Sequence, residues 1–251
     1  MNIIQLSDIH IGGDYDGVYD CRLAFEKTVE AIKDLEDRDG VTPRHIVVTG
    51  DVCNDLQSTP ENYWYVDEML RSITHPDYKI IYMPGNHDNA KVMGETLKFD
   101  PDEVKVYQTP EANLLVIPTY SGTFDTNRII ESLYKQTYDE SLPMLVFSHF
   151  PIGHIQNRFM YSIGAVMKDT EILFKILTRV ANVKEFFCGH FHSPGTTLVD
   201  GCHIHCAPST QCLIDPWAKD FKAVSDYPGF SLIRVKGREV NVDFKFIELG
   251  E

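Results

Sequence analysis

Carboxylate, amide and imidazole side chains recur in this chain at one kind of place, directly after a short apolar run. "LSDIH" supplies Asp8 and His10, "VVTGDVCND" supplies Asp51, and "MPGNHD" supplies Asn86 and His87. "VFSHFP" adds His149, and "FFCGHFH" adds His190 and His192. Oxygen and neutral imidazole donors suit Mn²⁺, Fe²⁺ or Zn²⁺ better than an ion that selects thiolates. So many donors exceed the needs of one ion and suit two, if one carboxylate bridges them. Each piece taken alone also reads as a turn. Asn, Asp and Gly are ordinary bend residues, so local sequence leaves "PGNHDNA" (84–90) open between a strand cap and a ligand set. Recurrence at successive run ends is what turn chemistry does not explain.

The apolar runs must position these groups. "NIIQL" (2–6), "HIVVT" (45–49), "KIIYM" (79–83), "NLLVI" (113–117), "PMLVF" (143–147) and "VKEFF" (183–187) are short and flanked by turn residues, which predicts core strands. Residues 21–38 predict a helix whose apolar face is Leu23, Ala24, Val29, Ala31, Ile32 and Leu35. Further helices are predicted over 60–73, 126–138 and 165–180. Strands alternating with helices give a layered α/β fold, and the carboxyl ends of its strands form the edge where ligand sites are built. Strand alternation would put Asp8 and His10 on one side, and His190 and His192 likewise. After residue 195 the pattern turns to short strands between Gly, Asp and Pro turns, either a second sheet or an antiparallel extension of the first. No repeat or linker interrupts the chain, so one domain over 1–251 is expected.

Composition narrows the function. The 251 residues carry a formal net charge of -14, which opposes non-specific binding to a nucleic-acid backbone. A bound metal can still reverse the field locally and admit a phosphate. The N-terminus lacks the basic segment and cleavage site of a signal peptide, and no run is long enough for a membrane span, so a cytoplasmic protein is expected. The six cysteines form no C-x-x-C pair and read as small buried residues in a reducing compartment. "CHIHC" (202–206) imitates a metal cluster, but in a strand Cys202, Ile204 and Cys206 share one face and His203 and His205 the other. A buried Cys/Ile/Cys face is the preferred reading there.

Taken in order, Asp8-Ile9-His10, Gly50-Asp51, Gly85-Asn86-His87-Asp88, His149 and Gly189-His190-Phe191-His192 resemble the motif series of calcineurin-like metallophosphoesterases. The resemblance implies a four-layer αββα sandwich. It assigns Asp8, His10, Asp51 and His192 to one metal and Asp51, Asn86, His149 and His190 to the other, with Asp51 as the bridge. His87 would stand beside the phosphate, and Asp88 would support it by accepting from its other ring nitrogen. The implied reaction is in-line attack on phosphorus by a hydroxide held between two divalent ions (Mn, Fe or Zn), with His87 contacting a phosphoryl oxygen or protonating the leaving group.

"GDVCND", in which Asp55 matches a later Asp, and the tail "APSTQCLIDP…DYPGFSLIRV" (207–235) are similar to class III cyclic nucleotide phosphodiesterases and the related glycerophosphodiesterases. The substrate this implies is a small phosphodiester, with a 3′,5′-cyclic nucleotide favoured over a glycerophosphodiester. A phosphomonoesterase, a nuclease and a non-catalytic metal-binding scaffold are the alternatives. Phe150 stands where many relatives have a second histidine, and "NLLVIPTYSGTF" (113–124) lacks their Leu-Asp-Ser/Thr. Residues 151–165, a lid or a homodimer interface, carry His154, Asn157 and Arg158, which join Phe150 as candidate substrate contacts. Phe159 and Tyr161 could offer a stacking face.

Overall fold

The computed structural model describes the chain apart from residues 14–19, 36–39, 44, 74–78, 154, 169, 182, 226 and 250–251. Its first sheet holds β1 (Asn2–Leu6), β2 (His45–Thr49), β3 (Lys79–Met83), β12 (Gly229–Lys236) and β13 (Glu239–Phe246), in the order β13-β12-β1-β2-β3. The second holds β4 (Lys105–Gln108), β5 (Asn113–Val116), β6 (Met144–Phe147), β7 (Glu185–Cys188), β8 (Gly195–Val199) and β9 (Cys202–Cys206), in the order β4-β5-β6-β7-β9-β8. β10 (Leu213–Ile214) and β11 (Ala223–Ser225) form a small hairpin apart. Within the sheets, β1-β2-β3 and β5-β6-β7-β9 run parallel, and the flanking strands are antiparallel.

Three apolar clusters account for the layers. Helices α1 (Cys21–Lys33), α2 (Pro60–Arg71) and α3 (Ala90–Leu97) cover the outer face of the first sheet, with Phe25, Tyr63 and Met93 set against Ile4, Leu6, Ile46 and Val48. Helices α4 (Thr126–Lys135), α5 (Arg158–Ser162) and α6 (Thr170–Val180) cover the outer face of the second, with Leu133, Met160 and Leu177 set against Val146, Phe186 and Ile204. Between the sheets, Ile3, Val47 and Ile81 meet Leu114, Leu145, Phe147 and Phe187. Both faces of each sheet are therefore buried, which is why the central strands read as unbroken apolar runs. The αββα sandwich is as expected from the sequence.

Local chemistry sets the helix boundaries. Thr59 caps α2 and Pro60 opens it, where a missing N–H costs nothing. Asn89 caps α3, a helix the sequence pattern did not single out, by accepting from Val92 N–H. α1 buries Cys21, Ala24, Phe25, Thr28, Val29 and Ile32, so its inward face is turned away from Leu23, which is 40% exposed. The helix expected over 165–180 begins only at Thr170. The tail divides between the sheets: β8 and β9 extend the second through the parallel β7–β9 pair, and β12 and β13 extend the first antiparallel to β1. The "CHIHC" strand alternates as expected, with Cys202, Ile204 and Cys206 in the outer core. His205 is also buried, stacked on Phe187 at 4.9 Å and bonded to Glu185 and Thr196. All six cysteines are buried, and no helix among the described residues is long and apolar enough to cross a membrane.

Phe187 has no exposed surface and is sandwiched between Phe147, at 5.0 Å, and His205. Phe187→Ala should therefore cost about 3–5 kcal/mol of folding stability in a denaturant titration. A loss under about 1 kcal/mol would contradict the inter-sheet packing.

Candidate metal centre

The chemistry-bearing residues leave the sheets at carboxyl-terminal strand ends. β1, β2 and β3 lead to Asp8 and His10, to Asp51, and to Asn86 and His87; β6 and β7 lead to His149 and to His190 and His192. Pleat alternation does not aim them, because β1 stops at Leu6 and β7 at Cys188. Asp8, His10, Asp51, His190 and His192 instead take left-handed backbone, with φ of 55°, 52°, 52°, 69° and 51°. Such a conformation costs about 1–3 kcal/mol per non-glycine residue and gathers where function requires it. Backbone bonds lash the turns together: Asp8 N–H donates to Gly50 at 3.0 Å, His10 N–H to Asp51 at 2.9 Å and Gly189 N–H to His149 at 3.0 Å. Gly85 is needed for close approach rather than for a bend, since a Cβ there would run into the Asp51 carboxylate.

Two groups of donors result. Asp8, His10 and His192 bring ligand atoms within 4.8 Å of one another, and so do Asp51, His149 and His190. Asp51 Oδ2 lies 3.4 Å from His149 Nε2 and 3.7 Å from His10 Nε2, between the groups. Asn86 Oδ1 lies 3.0 Å from His149 Nε2 and joins the second group. The structure thus brings together all the residues that the sequence suggested for two ions.

The outer nitrogen of each imidazole is spoken for. Nδ1 of His149 donates to the Thr49 carbonyl at 2.8 Å, Nδ1 of His192 to Cys212 at 3.1 Å, Nε2 of His190 to Ala165 at 3.1 Å, and Nδ1 of His10 to Asn54 Oδ1 at 3.3 Å. Each ring therefore turns its remaining nitrogen inward, the arrangement by which metal-ligating histidines are oriented and their tautomer fixed. Oxygen and imidazole donors in two tight groups, one carboxylate between them, fit two divalent cations.

Burial drives His10 down to about 4 against the pull of Asp51, and holds His190 well below the ordinary imidazole range. Burial works against protonation of His149 and His192 too, but there the carboxylates prevail. Asp51 lifts His149 to about 9, and Asp8 lifts His192 to about 9. Burial likewise opposes the Asp51 charge, and His149 and His10 hold its carboxyl below the usual range.

His87 reaches the same cavity, its ring 5.1 Å from that of His10. The expected support from Asp88 is not what the structure shows. Nδ1 of His87 pairs with Asp55 Oδ1 at 3.0 Å. The Asp88 carboxylate is turned the other way, accepting from the N–H groups of Val52, Cys53 and Gly85 at 3.1, 3.0 and 2.9 Å and from the Tyr63 hydroxyl at 3.1 Å. It fastens the Asp51 and Asn86 turns to each other. "GDVCND" held the signal for Asp55, but sequence alone gave it no partner.

The centre opens into a cavity of about 670 Å³. None of the described candidate substrate contacts lines it. Phe150 is buried against His190, ring centroids 4.0 Å apart. Asn157 caps α5 and donates to Phe191 and Ser193, and Arg158 donates to the Trp217 carbonyl. His154 lies outside the described residues. Phe159 does line the cavity; Tyr161 packs on Phe191 instead.

Residues 1–194 match the family model of calcineurin-like phosphoesterases. A protein of Fibrobacter succinogenes named a probable cyclic nucleotide phosphodiesterase is 26% identical over 93% of this chain and 89% of its own. A 3′,5′-cyclic adenosine monophosphate phosphodiesterase of Haemophilus influenzae is 22% identical over 100% of this chain and 92% of its own. Among solved structures, a dimetal phosphatase from Danio rerio superposes with a TM-score of 0.60 at 11% identity, covering 100% of this chain and 99% of that one, which establishes likeness of fold.

With His149 and His192 raised to about 9 in the ion-free protein, a divalent cation must displace their protons. Titration calorimetry with Mn²⁺ or Zn²⁺ at pH 7, in buffers of different ionisation enthalpy, should show release of about two protons as the centre fills. Affinity should rise with pH and level off above about 9. Proton release near zero would contradict this account of the imidazoles.

Proposed function

The chain belongs to the calcineurin-like phosphoesterase family, and on that footing we propose that it hydrolyses a small phosphodiester, a 3′,5′-cyclic nucleotide to the 5′-nucleotide. The observation that carries this reading is the pair of donor groups meeting at Asp51 on the floor of one open cavity. In it Asp8, His10, Asp51 and His192 would hold one divalent ion and Asp51, Asn86, His149 and His190 the other. Bound there, the two ions would polarise the phosphoryl oxygens and supply a water acidic enough to attack near neutral pH.

The chain's own groups do the rest. Two divalent ions outweigh the ligand carboxylates Asp8 and Asp51, so the floor of the cavity attracts an anion although the protein is acidic. No lysine or arginine stands among the described residues lining the cavity, and Asp55 is at its rim. That field suits a singly charged diester better than a doubly charged monoester. Asp55 holds His87 Nδ1, which leaves Nε2 to meet a phosphoryl oxygen or to protonate the departing alkoxide. Asn54 and the Thr49, Ala165 and Cys212 carbonyls keep the four ligand imidazoles aimed inward. Because the first sheet supplies Asp8, Asp51 and Asn86 and the second supplies the 149, 190 and 192 histidines, we read residues 1–251 as one domain. The relatives named as cyclic nucleotide phosphodiesterases support the choice of diester.

Metal-replete protein should turn over bis(p-nitrophenyl) phosphate and 3′,5′-cyclic AMP or GMP faster than p-nitrophenyl phosphate. Failure on every diester with Mn²⁺, Fe²⁺, Co²⁺ and Zn²⁺ rejects the proposal. His87→Ala should lower kcat by about 10²–10⁴ with both ions still bound by elemental analysis, and Asp55→Asn should lower it less. Asp51→Ala should remove the ligand common to both ions and lose bound metal and activity together; a rate within about threefold of the parent would refute the bridge.

A further inference from the structure

A phosphate occupies little of a cavity of about 670 Å³, a size that in other proteins encloses most of a small organic ligand. Opposite the polar floor, the lining is apolar: Phe159, Met160 and Ile163 from α5 and the turn after it, with Ile214 and Phe221 from the segment around the β10–β11 hairpin. The two pieces are bolted to each other. Arg158 N–H donates to the Pro216 carbonyl at 2.9 Å, Ser162 Oγ to Lys219 at 3.1 Å, and the Phe159 and Phe221 rings meet edge to face at 5.8 Å. They are equally tied to the centre. His190 donates to Ala165 and His192 to Cys212, and Ile214 N–H donates back to the His192 carbonyl at 2.9 Å. The wall therefore stands at a fixed distance from the ligand imidazoles, already formed. It is also open to solvent, Ile163 being 59% and Phe221 39% exposed.

We propose that this wall receives a flat, uncharged ring in the organic part of the substrate, and that Phe159 and Phe221 set the preference for a nucleotide diester over a glycerol diester. The inference rests on the reading that the centre holds a phosphate. Apolar side chains offer no hydrogen bonds, so burying a hydroxyl-rich glycerol moiety against them strips its water without replacement. A nucleobase presents a π face and leaves its polar edge free to point outward, so it gains both buried area and stacking. No cationic side chain among the described lining residues offers a second phosphate a counter-charge. The floor thus selects a phosphate and the wall selects what is esterified to it.

The test is binding of two product-like monoesters, adenosine 5′-monophosphate and glycerol 3-phosphate, to the metal-replete protein by titration calorimetry. The parent should prefer the nucleotide by roughly tenfold, the scale of one base–aromatic stack. Phe159→Leu and Phe221→Leu keep apolar volume but remove a ring, and each should lower that ratio severalfold. Phe221→Tyr, which restores a ring, should retain it. Equal affinities in the parent, or a ratio untouched in both leucine variants, overturns the proposal. Failure of the hydrolytic reading would look different: no diester turned over by the parent, with the nucleotide still preferred and the preference still lost in the leucine variants, which supports the wall independently.

Discussion

Everything in the site depends on a crowding of imidazole and carboxylate groups that the fold enforces. Nε2 of His10 and Nε2 of His192 point at each other across 3.2 Å, with the carboxylates of Asp8 and Asp51 close behind. Two imidazole lone pairs face to face in a buried place are unfavourable unless something positive lies between them. In the ion-free protein that positive charge is a proton. His192 carries it in the grip of Asp8 and can donate to the bare Nε2 of His10, which burial keeps neutral with its one proton on Nδ1, and His149 is likewise raised beside Asp51. The rings cannot swing away, because their outer nitrogens are engaged by Thr49, Cys212, Ala165 and Asn54. Protonated imidazoles thus mark where a cation would take the place of protons, and the donor types suit a first-row divalent ion.

Holding these groups together has a backbone cost that the rest of the molecule must balance. Left-handed turns at Asp8, His10, Asp51, His190 and His192 are tolerable because three continuous apolar layers hold the strands that end in them. Glycines occur where two turns approach too closely for a side chain: a Cβ at Gly189 would collide with Ser7 and Asp8, as one at Gly85 would with Asp51. Asp88 is the anchor beneath. Burial and the nearby Asp51 charge raise its carboxyl to about 6, against the pull of the three N–H donors that cradle it. Being already saturated with bonds, it is unsuited to orient His87, and the exposed Asp55 takes that role instead.

Much of this was legible in the sequence because it is encoded locally. A strand buried on both faces writes itself as an apolar run, and its end is where the chain changes to Asp, His, Asn and Gly. What was not legible depends on contacts between distant segments. The division of the tail between two sheets follows from β9 finding β7 and β12 finding β1, pairings that no composition change announces. Leu23 looked like a core position until the inward face of α1 was fixed by Cys21, Phe25 and Thr28. The turn that aims Asp8 and His10 is left-handed, whereas a period-two reading reached the same convergence for the wrong reason.

The substrate contacts fail for a deeper version of the same cause. Phe150 and Asn157 attracted attention as neighbours of a motif histidine in sequence, yet proximity along the chain puts them under the site and not in it. Phe150 supports the His190 ring from behind, and Asn157 caps α5 so that its next turn reaches the cavity. The surface a substrate would meet is assembled from α5 and the segment 211–221, held to each other and to two ligand imidazoles by hydrogen bonds that backbone carbonyls accept. Backbone bonds leave almost no trace in side-chain identity. Phosphoester chemistry needs a fixed set of donors and is written in residue types at short spacing. The choice of ester is written in which apolar side chains a backbone scaffold carries into place, and that is visible only once the chain is folded.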